Sequence, residues 1–238
     1  IVRCVLPGKL ANTKAALRRF MRDHPPEGEA GEKFRAAVST VEALAAQIKD
    51  SRDADEMRGF EGTAARPYFD VFDGMILHQK DGFKFAGRTK RPPLDAVNAM
   101  LSFVYALLAN DAEAALEGVG LDPAVGFLHK DRSGRSSLAL DLMEEFRPWL
   151  ADRLVLSMIN KQQVKPENFR TTESGAVTMD DGARKKILAE WHDRKQDEIT
   201  HPYTGEKMPL GMVPHMQAML LARRIRGDMK EYPPFVWK

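Results

Sequence analysis

The chain has a single cysteine, Cys4, among 238 residues. No internal disulfide can form and no neighbour makes Cys4 a nucleophile, which suits a reducing, cytoplasmic compartment. Long apolar runs are missing as well. The longest nearly apolar stretch, Ala99 to Ala109, is too short for a bilayer and is interrupted by Ser102. Residues 1–30 lack the apolar core of a signal peptide, so no membrane partner is expected. Glycine-rich phosphate loops of the GxGxxG and GxxxxGK[ST] kinds are absent, as is GxSxG, which removes nucleotide binding by those loops and that hydrolase class. An excess of one charge is lacking too: 36 Lys+Arg against 34 Asp+Glu leave +2, so bulk electrostatics argue neither for nor against a nucleic acid. Finally, the sequence opens on Ile1 rather than methionine, the mark of processing or of a fragment.

With 43% hydrophobic and 29% charged residues, the chain is long enough to bury a real core. Helical periodicity dominates. Leu10, Leu17, Phe20 and Met21 share one side of a helix over residues 9–23, which His24-Pro25-Pro26 ends. Phe34, Val38, Val41, Leu44, Ala45 and Ile48 form a stripe from about Glu29 to Lys49. A third helix is predicted from Asp53 to about Gln79, kinked near Thr63 by Pro67. The connector Gly82 to Arg91 ends at Pro92-Pro93, and the helix from Leu94 to Asp111 is apolar nearly all round, as the middle of a core should be. Ser136 or Ser137 is expected to cap one long helix that kinks at Pro148 and reaches Lys161. Strand character is confined to residues 169–179, where β-branched residues flank Glu173-Ser174-Gly175 and predict a hairpin. Helices over 181–199 and 208–230 and an extended YPPFVWK tail complete an all-α domain with one β-hairpin insertion. The four methionines at 208, 212, 216 and 219 are read as core filler.

Local charge is less even than the total. Residues 1–23 carry six basic residues and one acid, whereas 27–56 carry eight acids and four basic residues. Solvated helix faces account for the basic runs at 1–23 and 223–230. Two basic segments adjoin chemistry-bearing residues instead: Lys84, Arg88, Lys90 and Arg91 in the connector, and Lys130, Arg132 and Arg135 against Asp131 beside His129.

Asp141 and Glu144 lie three apart on a helix face, and Glu145, four from Asp141, is an equally good partner by spacing. Paired carboxylates repel unless a cation lies between them or one is protonated. Such pairs are usually ordinary surface acids, but here Leu138, Leu142, Phe146, Trp149 and Leu150 surround them with apolar surface. His129 follows Gly126-Phe127-Leu128; a lone histidine there is most often a half-buried hydrogen-bonding residue. With acids on a following helix, it also suits Mn²⁺ or Mg²⁺, whereas no second histidine or cysteine supports zinc. Glu61, an ordinary exposed glutamate by pattern, is flanked by Gly62, Ala64 and Ala65, small enough to admit an ion and a substrate backbone.

The segments RGFEGTAARPYF, RTKRPPLDAVNAMLSFVYALL and GFLHKDRSGRSSLALDLMEEFRP, in this order, resemble the CRISPR adaptation integrases, the CRISPR-associated endonucleases that insert spacers into a repeat array. QVKPENF, the hairpin and the YPPFVWK tail are similar to the type I-C branch. The resemblance implies that Glu61, His129 and Glu144 bind a catalytic Mn²⁺ or Mg²⁺, with Asp141 nearby. It thereby selects Glu144 over Glu145. It implies strand transfer of a prespacer 3′-hydroxyl onto repeat DNA. Arg58, Lys84, Arg88, Lys90, Arg91, Lys130 and Arg132 are the basic residues expected to contact phosphates of double-stranded DNA. The resemblance also implies a homodimer, a small ferredoxin-like partner protein and an associated iron–sulfur exonuclease. The family's β-rich N-terminal domain has no counterpart here, so residues 1–238 are expected to form one catalytic domain: leading helices over 1–50, a metal-site core over 51–164, and hairpin and C-terminal helices over 165–238. Pro67, directly after Arg66, departs from the family pattern. Two other readings remain at this stage: a catalytically silent helical module that binds DNA or supports assembly, and a bundle whose acidic patch is merely surface.

Overall fold

The computed structural model describes residues 1–51, 53–130 and 132–237; Asp131 lies outside them. Helix α1 (Val2–Asp23) is followed by α2 (Gly28–Asp50), and the break falls at the predicted prolines. Helix α3 (Ala54–Asp70) is capped by the Asp53 carboxylate, which accepts from the Asp55 N–H. It passes unbroken through Pro67 and stops at Asp70, well short of the expected Gln79, because residues 71–76 turn into a short 3₁₀ segment around Asp73–Met75. Helix α4 (Ala96–Gly118), capped by Asp95, runs through the main core. By length and composition α4 could cross a membrane. Its apolar side chains Val97, Met100, Leu101, Val104 and Leu108 are buried in this fold.

The single helix expected from Ser136 to Lys161 is three pieces: α5 (Ser137–Met143), a π-helical turn (Arg147–Asp152) and α6 (Arg153–Asn160). Pro148 offers no N–H, and its ring crowds the carbonyl one turn back, on Glu144. The chain therefore opens at Glu144–Phe146, before the proline rather than at it, and widens into the π turn. Neither serine caps α5; the Ser137 hydroxyl instead donates to the Lys130 carbonyl.

The predicted hairpin is present as β1 (Phe169–Thr171) and β2 (Val177–Met179), antiparallel with Arg170 opposite Thr178. A second hairpin, β3 (Glu198–Thr200) and β4 (Lys207–Pro209), was not expected; it takes the ends of the helices read at 181–199 and 208–230. Those helices are α7 (Asp181–Gln196) and α8 (Val213–Arg226), the latter stopped by Gly227 in the left-handed conformation. Of the four methionines read as filler, Met212 and Met219 are exposed.

Two apolar clusters organise the chain. The larger surrounds α4. A smaller one, Leu6, Leu10, Val41, Leu44, Ile48, Met57, Ala64 and Leu128, joins α1, α2 and α3 to the loop that precedes α5. Leu128 thereby anchors the loop beside its neighbour His129. The tail is extended as expected, but it is built into the core: Phe235 and Trp237 stack on Trp149, at 4.9 and 4.8 Å between ring centroids.

Candidate functional site

Three segments converge where α1, α3 and the opened turn meet. From α3 comes Glu61, from the turn Glu144, and from α1 Lys9, whose buried ammonium lies between the two carboxylates. Lys9 pairs with Glu61 and stands 2.6 Å from Glu144 Oε2. The Arg147 guanidinium, one helical turn after Glu144, lies 2.7 Å from Glu144 Oε1. Burial alone would push the Glu144 carboxyl up, but Arg147 and Lys9 outweigh it and hold the group at about 2, fully ionised. Burial likewise opposes charge on Lys9, and Glu144 and Glu61 reverse that, raising its pKa.

His129 Nε2 is 3.9 Å from Glu144 Oε1. Its other ring nitrogen, Nδ1, is 2.6 Å from Asp141 Oδ1. Asp141 is therefore not a free ligand. Its carboxylate also accepts the backbone N–H groups of Phe127, Leu128 and His129 at 2.6 to 2.9 Å, which spends both oxygens on closing the loop. Asp141 fixes the ring so that Nε2 faces Glu144. Gly126 lets this loop close: a Cβ there would stand 2.7 Å from the His129 carbonyl oxygen and from Ser137 Cβ.

Glu145 turns the other way. Its Oε2 accepts from Gln217 Nε2 at 2.9 Å and from the Phe235 N–H at 2.8 Å, and its backbone carbonyl accepts from Asn12. Burial pushes this carboxyl up to about 8, against the hydrogen bonds from Phe235, Tyr232 and Gln217. Adjacent residues on the opened turn thus serve opposite sides, Glu144 the charged cluster and Glu145 the tail. Asp141, Glu144 and Glu145 are each at most 2% exposed, so the acidic patch is not a surface feature.

Glu61, His129, Glu144, Arg147, Lys90, Arg91, Arg132 and Arg135 line one open groove of about 1480 Å³. Lys130 is exposed next to it, and Lys84 is exposed on the connector, outside the groove lining. Two of the expected phosphate contacts are otherwise engaged. Arg58 donates to the Leu128 carbonyl at 2.9 Å and pairs with Asp55, tying α3 to the histidine loop. Arg88 donates to Asn98 Oδ1 at 2.7 Å and Ser102 Oγ at 3.1 Å and lies over the Tyr105 ring, so it pins the connector to α4. Burial lowers the pKa of Lys90, and Arg147 and Arg88 add to this.

Sequence reasoning missed Lys9 and Arg147. Lys9 was assigned to a solvated basic face, although its neighbours Leu6 and Leu10 could have placed it on the buried side of α1. Among the described residues no three histidine, cysteine or acidic groups stand together at metal-coordination spacing. The donor chemistry nevertheless fits a hard divalent ion: two carboxylates already share one cation, the Lys9 ammonium, beside an oriented imidazole nitrogen.

Residues 1–193 match the family described as CRISPR associated protein Cas1. The chain is 51% identical over 238 residues to "CRISPR-associated endonuclease Cas1 1" of Chlorobaculum tepidum, covering 100% of this chain and 69% of that protein. It is 42% identical to "CRISPR-associated endonuclease Cas1" of Leptospira interrogans, covering 100% of this chain and 93% of that one. Among solved structures, a casposase bound to its integration product superposes with a TM-score of 0.82 at 24% identity, over 100% of this chain and 67% of that chain. A Cas6-RT-Cas1–Cas2 complex gives 0.81 at 24% identity, over 100% of this chain and 25% of that chain. At that identity the two structures speak for the fold alone; the family match and the sequence relatives place the chain in the CRISPR-associated Cas1 family.

Proposed function

We propose that this protein is a divalent-metal-dependent DNA endonuclease and integrase of CRISPR adaptation. The observation that carries the reading is the pair Glu61 and Glu144, drawn from separate helical segments onto one shared cation, with His129 Nε2 beside them at the floor of a basic groove. Glu61, Glu144 and His129 would hold Mn²⁺ or Mg²⁺ once Lys9 moves aside. Bound there, the ion would polarise a phosphodiester and ease deprotonation of the attacking hydroxyl.

The chain's own groups supply the rest. Asp141 keeps His129 Nδ1 occupied, so the imidazole presents Nε2 to the groove. Arg147, which pairs with Glu144 and lines the groove, would add positive charge beside a reacting phosphate. Lys90, Arg91, Lys130 and Arg132 hold DNA by its backbone, which positions a duplex without reading its sequence. In the reaction a prespacer 3′-oxygen bonds to a repeat phosphorus as that strand's own 3′-oxygen leaves. The proton lost by the nucleophile is made up at the leaving oxygen. One ester replaces another, so no separate energy source is required. Water in place of the hydroxyl gives endonucleolytic cleavage.

The proposal extends to the partners: double-stranded prespacer and repeat DNA, a second copy of the chain, the small ferredoxin-like adaptation protein and the iron–sulfur exonuclease, all in the cytoplasm. Mn²⁺-dependent nicking of branched DNA and integration into a repeat substrate test the reading. Glu61→Gln and His129→Ala should each abolish both activities while DNA binding remains. Wild-type rates in both variants would overturn the site. Binding without cleavage by the unaltered chain at any Mn²⁺ concentration would instead favour a silent binding module, a reading that the Lys9 ammonium between the carboxylates supports.

A further inference from the structure

A second cationic hollow lies behind the groove. Arg19, Phe20, Asp23, His24, Tyr68, Pro148, Arg153, Ser157, Asn160 and Arg194 are among the residues around about 770 Å³ of free space. Tyr68 and Pro148 also line the cleft of Lys9, Glu61 and Arg147, so the two spaces back onto each other across these side chains.

Three arginines from α1, α6 and α7 meet here. Arg19 reaches the Asp23 carboxylate at 3.5 Å, and Arg194 reaches Asp197 at 3.8 Å, both long contacts. Arg194 Nε is buried with no hydrogen-bond partner among the described residues. The Arg153 backbone N–H donates to the Leu150 carbonyl, but its guanidinium forms no hydrogen bond or ion pair with any described residue. Burial, then Arg19 and Arg194, lower its pKa to about 10, against the pull of Asp23. Like charges gathered in a partly desolvated recess cost free energy unless an anion joins them. Among the described residues Asp23 is the one acid that lines the hollow, and Arg22 also claims it. Three planar guanidinium forks exceed what one carboxylate can accept, whereas a phosphate offers an oxygen to each.

We propose that Arg19, Arg153 and Arg194 form a phosphate-binding site separate from the groove of Glu61 and Glu144. The phosphate belongs either to a DNA strand carried past Pro148 or to a free phosphate compound. Only the first source rests on the proposed action on DNA.

The test uses the full chain, with Arg153→Gln and Arg194→Gln as variants. Inorganic phosphate is titrated against chloride at matched ionic strength while the melting temperature is followed. The unaltered chain should be stabilised by phosphate. Each variant should lose at least half of that rise, and Arg153→Gln should melt no lower than the unaltered chain without phosphate, since it removes a repelling charge. Glu61→Gln should keep the full phosphate response, which separates this site from the fate of the cleavage reading. Duplex DNA binding across a salt series then distinguishes the sources. A log–log slope shallower by about one unit in Arg153→Gln marks a DNA phosphate, and an unchanged slope with the phosphate response lost marks a free compound. Variants that match the unaltered chain in both the phosphate response and the salt slope would overturn the proposal. Should Arg153→Gln fail to fold, Arg194→Gln carries both measurements.

Discussion

Glu145 offers a prediction in which the structure sets both sign and size. Its carboxyl is buried against the tail and pushed up to about 8, from 4.5 in an unstructured chain. Between those values the folded chain holds a proton that the unfolded chain releases. The stabilisation is therefore fully present below about pH 4.5 and is lost as pH rises toward 8. The slope reaches about 1.4 kcal/mol per pH unit in the middle of the window and flattens near both pKa values, so the loss from pH 5 to pH 8 is on the order of 3 kcal/mol. Glu145→Gln should remove this dependence at little cost. Its amide oxygen can replace Oε2 as acceptor for Gln217 and Phe235, and its NH₂ would take the place of Oε1, which has no hydrogen-bond partner among the described residues. Asp152, raised to about 6 chiefly by burial, is common to both proteins and cancels in the difference. Denaturant unfolding of both proteins at pH 5, 6, 7 and 8 is the assay. The stability difference between variant and parent should shift in the variant's favour by about 3 kcal/mol across the series. Parallel pH curves, or a parent that gains on the variant as pH rises, would refute the reasoning.

Lys9→Met leaves Glu61 and Glu144 facing each other without their shared cation. It should cost about 3 kcal/mol by thermal or chemical unfolding, the size expected for breaking a buried pair, and Mn²⁺ should restore part of the loss. Asn12→Ala removes a buried side chain that donates to the carbonyls of Glu145 and Phe235 and accepts from the Trp237 N–H. Its expected cost is about 2 to 4 kcal/mol, with tail amides losing hydrogen-exchange protection before the rest of the chain.

The helices were legible because their signals are local. Apolar residues at steps of three and four marked α2 and the part of α1 from residue 9 onward, and His24-Pro25-Pro26 separates them; the start of α1 at Val2, ahead of Pro7, was not read. Capping aspartates open α3 and α4 close to the expected starts, whereas the ends were misread: α3 stops at Asp70 rather than Gln79, and α4 continues past Asp111 to Gly118. The second hairpin escaped notice because Glu198–Thr200 and Lys207–Pro209 are three residues each, too short for a period-two pattern to stand out. Pro148 was read as a kink. Its larger effect, the opening at Glu144–Phe146, goes with helix α1 and the tail drawing Glu144 and Glu145 to opposite sides.

The sequence by itself determined the residue types of the site: a glutamate among small neighbours, a histidine behind an apolar triplet, and an acidic run set in apolar surface. Those are short-range properties, carried by side-chain size and periodicity. Tertiary structure decided their roles. It placed Lys9 between Glu61 and Glu144, turned Asp141 into the clamp of the His129 loop, drew Arg58 and Arg88 into structural bonds, and gave Glu145 to the tail. Each assignment depends on groups that are remote in the chain or turned by a long-range contact. Whether a charge meets solvent, a carboxylate or a backbone amide depends on which surfaces pack together, and spacing along one helix does not contain that.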